Sequence, residues 1–193
     1  MYINSESDTE RNLAVELVLE DIPGGGVVEK DDFPTTQTEM KEGALLGVDA
    51  NGIYHVIKSA KITATVASGA TSLVISKDNP FVVGDILTNT AKTVTGRAIT
   101  AKAASGTLYE TITIAAAFGV ALAADDIVVA GAATGASGTS FLYTPVAVAK
   151  NTVTLAHANT GCGLVVRGRV RESLMPYPVN AALKAYLPHI RFV

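Results

Sequence analysis

The hydrophobic residues of this chain recur at alternating positions in many short segments, which is the spacing of half-buried β-strands. The first such segment is Leu13-Ala-Val-Glu-Leu-Val-Leu-Glu20, in which every second residue from Leu13 to Leu19 is apolar. It ends at Asp21-Ile-Pro-Gly-Gly-Gly26, where a proline removes a backbone donor and three glycines free the backbone. The pattern predicts an extended or strand-forming arm with a flexible joint near Gly26.

A second segment predicts a β-hairpin. Two apolar runs, Ala44-Leu-Leu-Gly-Val48 and Ile53-Tyr-His-Val-Ile57, flank the four residues Asp49-Ala-Asn-Gly52. Asn51 and Gly52 tolerate the positive φ angles that a tight hairpin turn demands. We therefore expect two antiparallel strands joined at this turn.

From residue 61 to residue 129 the chain carries few charges and has two loosely similar halves. Each half contains an apolar strand, a loop, a turn with an aspartate and a second apolar strand; the halves run from Ser72 to Leu87 and from Thr111 to Val129. Asp85 and Asp126 are placed to accept hydrogen bonds from backbone amides in these turns. Strands spaced this closely predict a small barrel or sandwich inserted into the surrounding domain.

The C-terminal part resumes the strand pattern after a stretch of low complexity. Residues 131–140 are mostly Gly, Ala, Ser and Thr, and we interpret them as a return linker or a surface loop. Beyond them the pattern predicts three strands, a short helix that Asn180 caps and Pro188 ends, and a closing strand. The three strands are Leu142 to Val148, Thr152 to Leu155 and Gly163 to Val170, and the closing strand begins at Ile190.

Together these elements predict a mainly β protein with one short C-terminal helix. A base β domain is expected from both flanks of the chain, residues 33–60 plus 133–193, with a small β-barrel or sandwich inserted at residues 61–132. Residues 1–32 form an acidic N-terminal arm in this division. At 193 residues the chain is long enough to bury a core without metals or disulfides.

The composition is consistent with many short β-strands, and the sequence lacks the features of a membrane or secreted protein. Hydrophobic residues make up 48% of the chain and charged residues only 17%. No run approaches the roughly 20 apolar residues of a membrane span, and residues 1–12 lack the positive start and apolar core of a secretory signal. The sequence therefore predicts a soluble protein without membrane contact, made in the cytoplasm.

Charge is divided unequally along the chain. Residues 1–42 contain 11 acidic and 3 basic residues, a net charge of −8, whereas residues 43–193 contain 7 acidic and 12 basic residues, a net charge of +5. Opposed ends of this kind attract each other, either within one subunit or between neighbouring subunits.

Arginines alternate along the last long predicted strand. One face is expected to present Val165, Arg167, Arg169 and Arg171, and the other Val166, Gly168 and Val170. One interpretation is an ordinary solvated sheet face; the other is docking on an acidic partner, because guanidinium groups bind carboxylates in planar, bidentate pairs. Three arginines without interleaved aromatics, on a net acidic chain, argue against nucleic acid as the partner.

Residues capable of chemistry are sparse. His55, His157 and His189 lie far apart without metal-ligand spacing, and Gly24 to Gly26 lack the lysine and the helix of a phosphate-binding loop. Cys162 is expected to be a small buried residue, and its pairing with His157 as a nucleophile would be an unrecognised arrangement. The sequence therefore predicts a protein that is not an enzyme and has no catalytic, cofactor-binding or metal-binding residues.

Three parts of the chain carry a resemblance to a known family. They are Gly43 to Lys61, Asn79-Pro-Phe-Val-Val-Gly-Asp-Ile-Leu87, and the C-terminal Arg167-Gly-Arg-Val-Arg171 with Ala182-Leu-Lys-Ala-Tyr-Leu-Pro-His-Ile-Arg-Phe192. They resemble the head decoration, or auxiliary capsid, proteins of tailed bacteriophages and prophages of gut Bacteroides-like bacteria. The resemblance implies a β-rich protein on the virion surface that binds the major capsid protein of an assembled shell, often as a trimer, with an extended terminal arm that reaches a neighbour.

On this basis we expect a structural virion protein that binds and stabilises an assembled phage capsid. In the expected interface the arm adds a strand to a neighbouring subunit, and the arginine face binds an acidic surface. The residues concerned are Leu13, Val15, Leu17 and Leu19 in the arm, and Arg167, Arg169 and Arg171 on the face. The alternatives are another phage structural protein, such as a head fibre, tail or adaptor protein, and a cell-surface adhesion or carbohydrate-binding module.

Overall fold

The computed structural model describes residues 13–91, 93–135, 138–155 and 159–193, and it is mainly β, as the sequence predicts. In chain order the strands are β1 (Val15–Asp21), β2 (Gly26–Val28), β3 (Glu39–Met40), β4 (Leu45–Val48), β5 (Tyr54–Val56), β6 (Ser59–Lys61), β7 (Ser72–Ser76), β8 (Ile86–Asn89), β9 (Arg97–Ala104), β10 (Tyr109–Ile114), β11 (Ile127–Ala130), β12 (Pro145–Ala149), β13 (Val153–Thr154), β14 (Thr160–Cys162), β15 (Leu164–Val170) and β16 (Ile190–Phe192). A 3₁₀ turn (Glu172–Leu174) and one short helix, α1 (Ala181–Lys184), separate β15 from β16.

The larger sheet has eight strands. Its order is β1-β15-β12-β4-β5-β2-β14, and β16 pairs in parallel with β15. The predicted hairpin is confirmed: β4 and β5 are antiparallel, and Gly52 in the turn has a φ of +81°. The Asp49 carboxylate accepts the amides of Asn51 and Ile53 at 2.9 and 2.8 Å, which fixes the turn.

The second sheet has six strands in the order β6-β11-β8-β9-β10-β7. An antiparallel bridge between Ile62 and Ile75 brings its two ends together, so this sheet is barrel-like. Both predicted aspartate turns are confirmed, since Asp85 accepts the amide of Val82 and Asp126 accepts that of Ala123, each at 2.8 Å. The division of the chain into a base domain and an inserted domain stays a prediction.

β11 connects the hydrophobic cores of the two sheets. Val128 and Ala130 pack with the interior of the six-stranded sheet. Ile127 and Val129, on the opposite face, pack with the core of the eight-stranded sheet. Because side chains alternate between faces along a strand, one four-residue strand is buried on both sides and fixes the two sheets against each other.

Residues 13–32 supply two strands of the larger sheet, β1 and β2, so the prediction of a separate arm is wrong for these residues. β1 pairs with β15 along its length, and β2 pairs with β14 and β5. The predicted flexible joint at Gly26 is also wrong, because a Cβ there would meet the Tyr54 ring at 2.4 Å and the backbone is tightly packed. Burial of Val15 and Val28 holds the segment in place. Residues 1–12 of the predicted arm lie outside the described residues.

The predicted C-terminal helix and its cap are confirmed. The Asn180 side chain accepts the Leu183 amide at 3.2 Å, and Leu183 is buried. The helix ends at Lys184, before Pro188, and leads into β16.

Candidate functional site

The candidate site is the outer face of β1, β15 and β16, at one edge of the larger sheet. β1 pairs only with β15, so its other edge carries no strand among the described residues. Across the three strands, Leu17 lies opposite Arg169, and Arg169 lies opposite Arg191. We call this face the edge surface; its residues are Leu13, Glu16, Leu17, Leu19, Glu20, Arg167, Arg169, Arg171, His189 and Arg191.

A bulge in β1 decides which apolar side chains reach the edge surface. Val15 pairs with Val170 and Leu17 with Arg169, so Glu16 is an extra residue on β1. Val15 is therefore buried, and its predicted place in the interface is wrong. The three leucines predicted with it are exposed: Leu13 by 43%, Leu17 by 49% and Leu19 by 62%.

A bulge in β15 likewise changes which residues share the predicted arginine face. Glu20 pairs with Arg167 and Asp21 with Val165, so Val166 is an extra residue on β15. Val165 is consequently buried rather than aligned with the arginines, whereas Arg167 and Arg169 are exposed. Bulges of this kind add one residue to a strand and reverse the faces beyond it.

Two of the three arginines pair with the acidic N-terminal segment of their own chain. The Nε atom of Arg169 lies 2.8 Å from Glu16 Oε2, and Arg171 pairs with the other oxygen of the same carboxylate. Lys150 and Asp21 form a further ion pair, at 2.6 Å. The attraction between the two ends of the chain thus operates within one subunit in the described residues.

Arg167 differs from its neighbours, since it makes no ion pair with another described residue. It lines a cleft of about 410 Å³ together with Glu20, Val166 and His189. The Arg191 guanidinium also makes no ion pair within the described residues. Among the described residues, these two arginines are the cations of the edge surface that remain available to a partner.

Sequence reasoning missed Arg191 and His189 as members of this surface. They reach it because β16 pairs in parallel with β15, and the His189 carbonyl accepts the Gly168 amide at 3.2 Å. The only sequence signal is the excess of basic residues after Gly161, which does not say that the chain end returns beside β15. With both included, the edge surface has four arginines and two glutamates.

A second polar cluster lies on the β4–β5 hairpin, away from the edge surface. The Asp32 carboxylate accepts the Val56 amide at 3.0 Å and lies 3.1 Å from His55 Nδ1. The His55 ring stacks on Tyr143 with centroids 3.9 Å apart, and its Nε2 atom is 3.9 Å from Asp49 Oδ2. No sequence pattern predicted that Asp32 would reach this hairpin, because the contact depends on tertiary packing.

The pKa values of the two aspartates in this cluster are shifted in opposite directions from the ordinary value of 3.8. Burial raises the pKa of Asp32, against the smaller effects of its hydrogen bond and attraction to His55. The backbone hydrogen bond from Ile53 lowers the pKa of Asp49, against a smaller opposing effect of desolvation. Asp32 therefore favours folding more when it is protonated, and Asp49 when it is ionised.

We expect Asp32→Asn and Asp49→Asn to change the pH dependence of stability with opposite signs. The contribution of Asp32 is fully present below pH 3.8 and is lost as the pH rises through its raised folded pKa. The contribution of Asp49 is present above pH 3.8 and is lost as the pH falls through its lowered folded pKa. Urea unfolding of the wild type and both variants across this range measures the differences; two parallel curves would contradict the assignment.

The remaining chemical candidates contribute little to a site. Cys162 is buried, its thiol lies against backbone carbonyls, and burial raises its pKa. His157, the other half of the nucleophilic pair considered from the sequence, lies outside the described residues. Within the described residues, no three His, Cys, Asp or Glu side chains are arranged to hold a metal ion, and no helix is long and apolar enough to span a membrane.

No protein-family model, curated protein or solved structure matches this chain.

Proposed function

We propose that this chain is a structural virion protein that binds and stabilises an assembled phage capsid, with the major capsid protein as its partner and a trimer as its working form. The observation that carries the proposal is the edge surface, where exposed Leu17 and Leu19 on an edge strand lie beside Arg167, which makes no ion pair with another described residue. An edge strand with exposed leucines favours association. A partner strand can pair with its free backbone groups and bury its apolar side chains.

The charge of the edge surface defines the complementary surface on the shell. Glu16 pairs with Arg169 and Arg171, so within the described part of the chain Arg167 and Arg191 are left to bind carboxylates. The leucines lie on the β1 side of these arginines and would contact apolar side chains of the same partner. The partner segment that fits is extended and carries both acidic and apolar residues.

The mechanism is the repetition of weak contacts by the symmetry of the shell. One copy offers a small apolar area and two arginines, and such a contact is weak in isolation. Copies joined in a trimer engage neighbouring sites at a high effective concentration, so the assembly binds far more tightly than one copy does. Bridging adjacent capsid subunits in this way stabilises the shell.

We expect Leu17→Ser combined with Leu19→Ser to abolish binding to the shell while the protein remains folded. Both side chains are largely exposed, so their loss removes contact area from the interface and little from the core. The measurement is co-sedimentation with expanded, undecorated capsids of the phage that encodes the chain. Binding of the wild type should saturate at a fixed ratio to the major capsid protein.

Leu108→Ser combined with Val83→Ser is the matched control. These side chains are exposed by 67% and 58% and belong to the six-stranded half of the molecule, so the control removes similar apolar area elsewhere. Its co-sedimentation should equal that of the wild type. Absence of wild-type binding to shells would overturn the proposed function, and equal loss in both double variants would overturn the assignment to the edge surface.

A further inference from the structure

A buried asparagine meets a partly buried lysine and a partly buried glutamate on the wall of the six-stranded sheet. Asn79 lies in the loop between β7 and β8, Lys102 on β9 and Glu110 on β10. Asn79 is 4% exposed, and the side chains of Lys102 and Glu110 are each 18% exposed. The adjacent Phe81 is fully buried and shields the cluster on one side.

All three functional groups are within hydrogen-bonding distance of one another. Lys102 Nζ lies 3.1 Å from Asn79 Oδ1 and 3.0 Å from Glu110 Oε2. Asn79 Nδ2 donates to the same oxygen of Glu110 at 2.7 Å. One carboxylate oxygen therefore touches both the lysine nitrogen and the amide nitrogen.

The Asn79 amide is held in a single orientation. Its Nδ2 atom also donates to the Ser76 carbonyl at 2.8 Å, and its Oδ1 atom accepts the Phe81 amide at 3.2 Å. The Phe81 carbonyl accepts from Lys102 Nζ at 3.0 Å, which holds the lysine against the same loop. The nitrogen of the amide thus faces Glu110, and its oxygen faces a backbone N–H donor.

We propose that Lys102 and Asn79 join in an intramolecular isopeptide bond, with Glu110 as the proton carrier. The arrangement supplies each part that amide exchange requires: an amine nucleophile beside the carbonyl, a base in contact with it, and a donor for the developing oxyanion. An ordinary polar network requires only that each group be hydrogen-bonded. It does not require one carboxylate oxygen to contact both Lys102 Nζ, the attacking nitrogen, and Asn79 Nδ2, the leaving nitrogen.

The reaction balances without any further reagent. Glu110 takes a proton from the Lys102 ammonium, and the neutral Nζ attacks Asn79 Cγ while the Phe81 N–H stabilises the oxyanion. Glu110 then delivers that proton to Nδ2, the Cγ–Nδ2 bond breaks and ammonia leaves. The second proton of the former ammonium passes through Glu110 to solvent, so the products are a secondary amide, ammonia and a proton.

The bond would link the β7–β8 loop covalently to β9. A cross-link of this kind constrains the unfolded chain as a disulfide does, without dependence on redox conditions. Such a cross-link suits a structural protein of a long-lived assembly, but its formation does not depend on the proposed function. The test below needs no capsid, so the two proposals fail independently.

The test is the intact mass of the purified full-length protein. We expect the wild type to be lighter than its sequence mass by one ammonia, and proteolysis to release a branched peptide that contains both Lys102 and Asn79. Lys102→Arg and Glu110→Gln should both retain the full sequence mass, because the first removes the nucleophile and the second removes the proton carrier at constant size. Lys61→Gln, at an exposed lysine on β6, is the control and should lose ammonia as the wild type does.

Circular dichroism of each variant shows whether it is folded, and a folded Glu110→Gln protein with full mass supports the proposal. A folded wild type that keeps its full sequence mass after prolonged incubation would overturn it. Ammonia loss without a branched peptide would also overturn it, since that result places the loss at another amide. Ammonia loss in the Glu110→Gln protein would overturn the role of Glu110.

Discussion

Lys58→Met is expected to destabilise the fold by about 3–5 kcal/mol, the cost of leaving one member of a buried ion pair alone. Lys58 is 4% exposed and lies between β5 and β6, where the chain crosses from the larger sheet to the smaller one. Its Nζ atom donates to both oxygens of Asp85, at 3.0 and 2.9 Å. Without the lysine, the Asp85 carboxylate stays largely buried with no cation beside it. Urea unfolding measures the loss.

Two further variants separate the charge effect from packing. Lys58→Met combined with Asp85→Asn should recover most of the stability, because it removes both charges and keeps an oxygen to accept the Val82 amide. Lys61→Met is the exposed control, and should cost only about 0–1 kcal/mol since its pair with Asp125 is open to solvent. A cost for Lys58→Met as small as that of the control would show that the buried pair contributes little.

Gly168→Ala is expected to separate β1 from β15 and to destabilise the protein by about 1–3 kcal/mol, the usual range for added volume at a packed position. Gly168 lies in the middle of β15 between Val18 of β1 and Ile190 of β16. A Cβ there would lie 2.2 Å from the Leu17 carbonyl oxygen. Since that atom belongs to the backbone, the contact is relieved only if the backbones of β1 and β15 move apart.

Hydrogen exchange of the β1 amides gives the direct measurement for this variant, and faster exchange from Val15 to Asp21 is the expected result. Gly161→Ala is the matched control, because Gly161 lies in the edge strand β14 and a Cβ there meets nothing within 4 Å. Shell binding should fall in Gly168→Ala because Leu17 and Leu19 move with β1. Unchanged exchange in β1 would show that the strand accommodates the methyl group.

The features that the sequence predicted correctly depend on short stretches of chain. The hairpin follows from the turn Asp49-Ala-Asn-Gly52, in which Gly52 supplies the positive φ that the turn requires. The two aspartate turns need only a carboxylate within three residues of the amide it accepts. The cap of α1 is equally local, since Asn180 accepts an amide three residues further on.

The errors share a different cause. β9 was missed because its eight residues, Arg97-Ala-Ile-Thr-Ala-Lys-Ala-Ala104, alternate weakly and contain many small side chains. The orientation of Val15 and Val165 was wrong because each lies beside a bulge, and a single extra residue reverses the side chains beyond it. No local pattern marks a bulge, because pairing with another strand defines it.

The candidate sites show the same division. From the sequence, the predicted interface contained Leu13, Val15, Leu17 and Leu19 with three arginines, and the two ends of the chain carried opposite net charge. Tertiary structure decided that Glu16 pairs with Arg169 and Arg171 in the same subunit, that β16 adds Arg191 beside them, and that Arg167 stays unpaired within the described residues.

The sequence by itself determined that this is a mainly β protein with specific turns and a helix cap, because strand alternation and turn chemistry act over a few residues. Only the tertiary structure decided that residues 15–21 form the edge strand of a sheet rather than part of an extended arm. It also decided that Asn79 and Lys102 contact the same carboxylate oxygen of Glu110. The physical reason is that these contacts join residues distant in the chain, and their positions depend on strand register and on burial against the two cores.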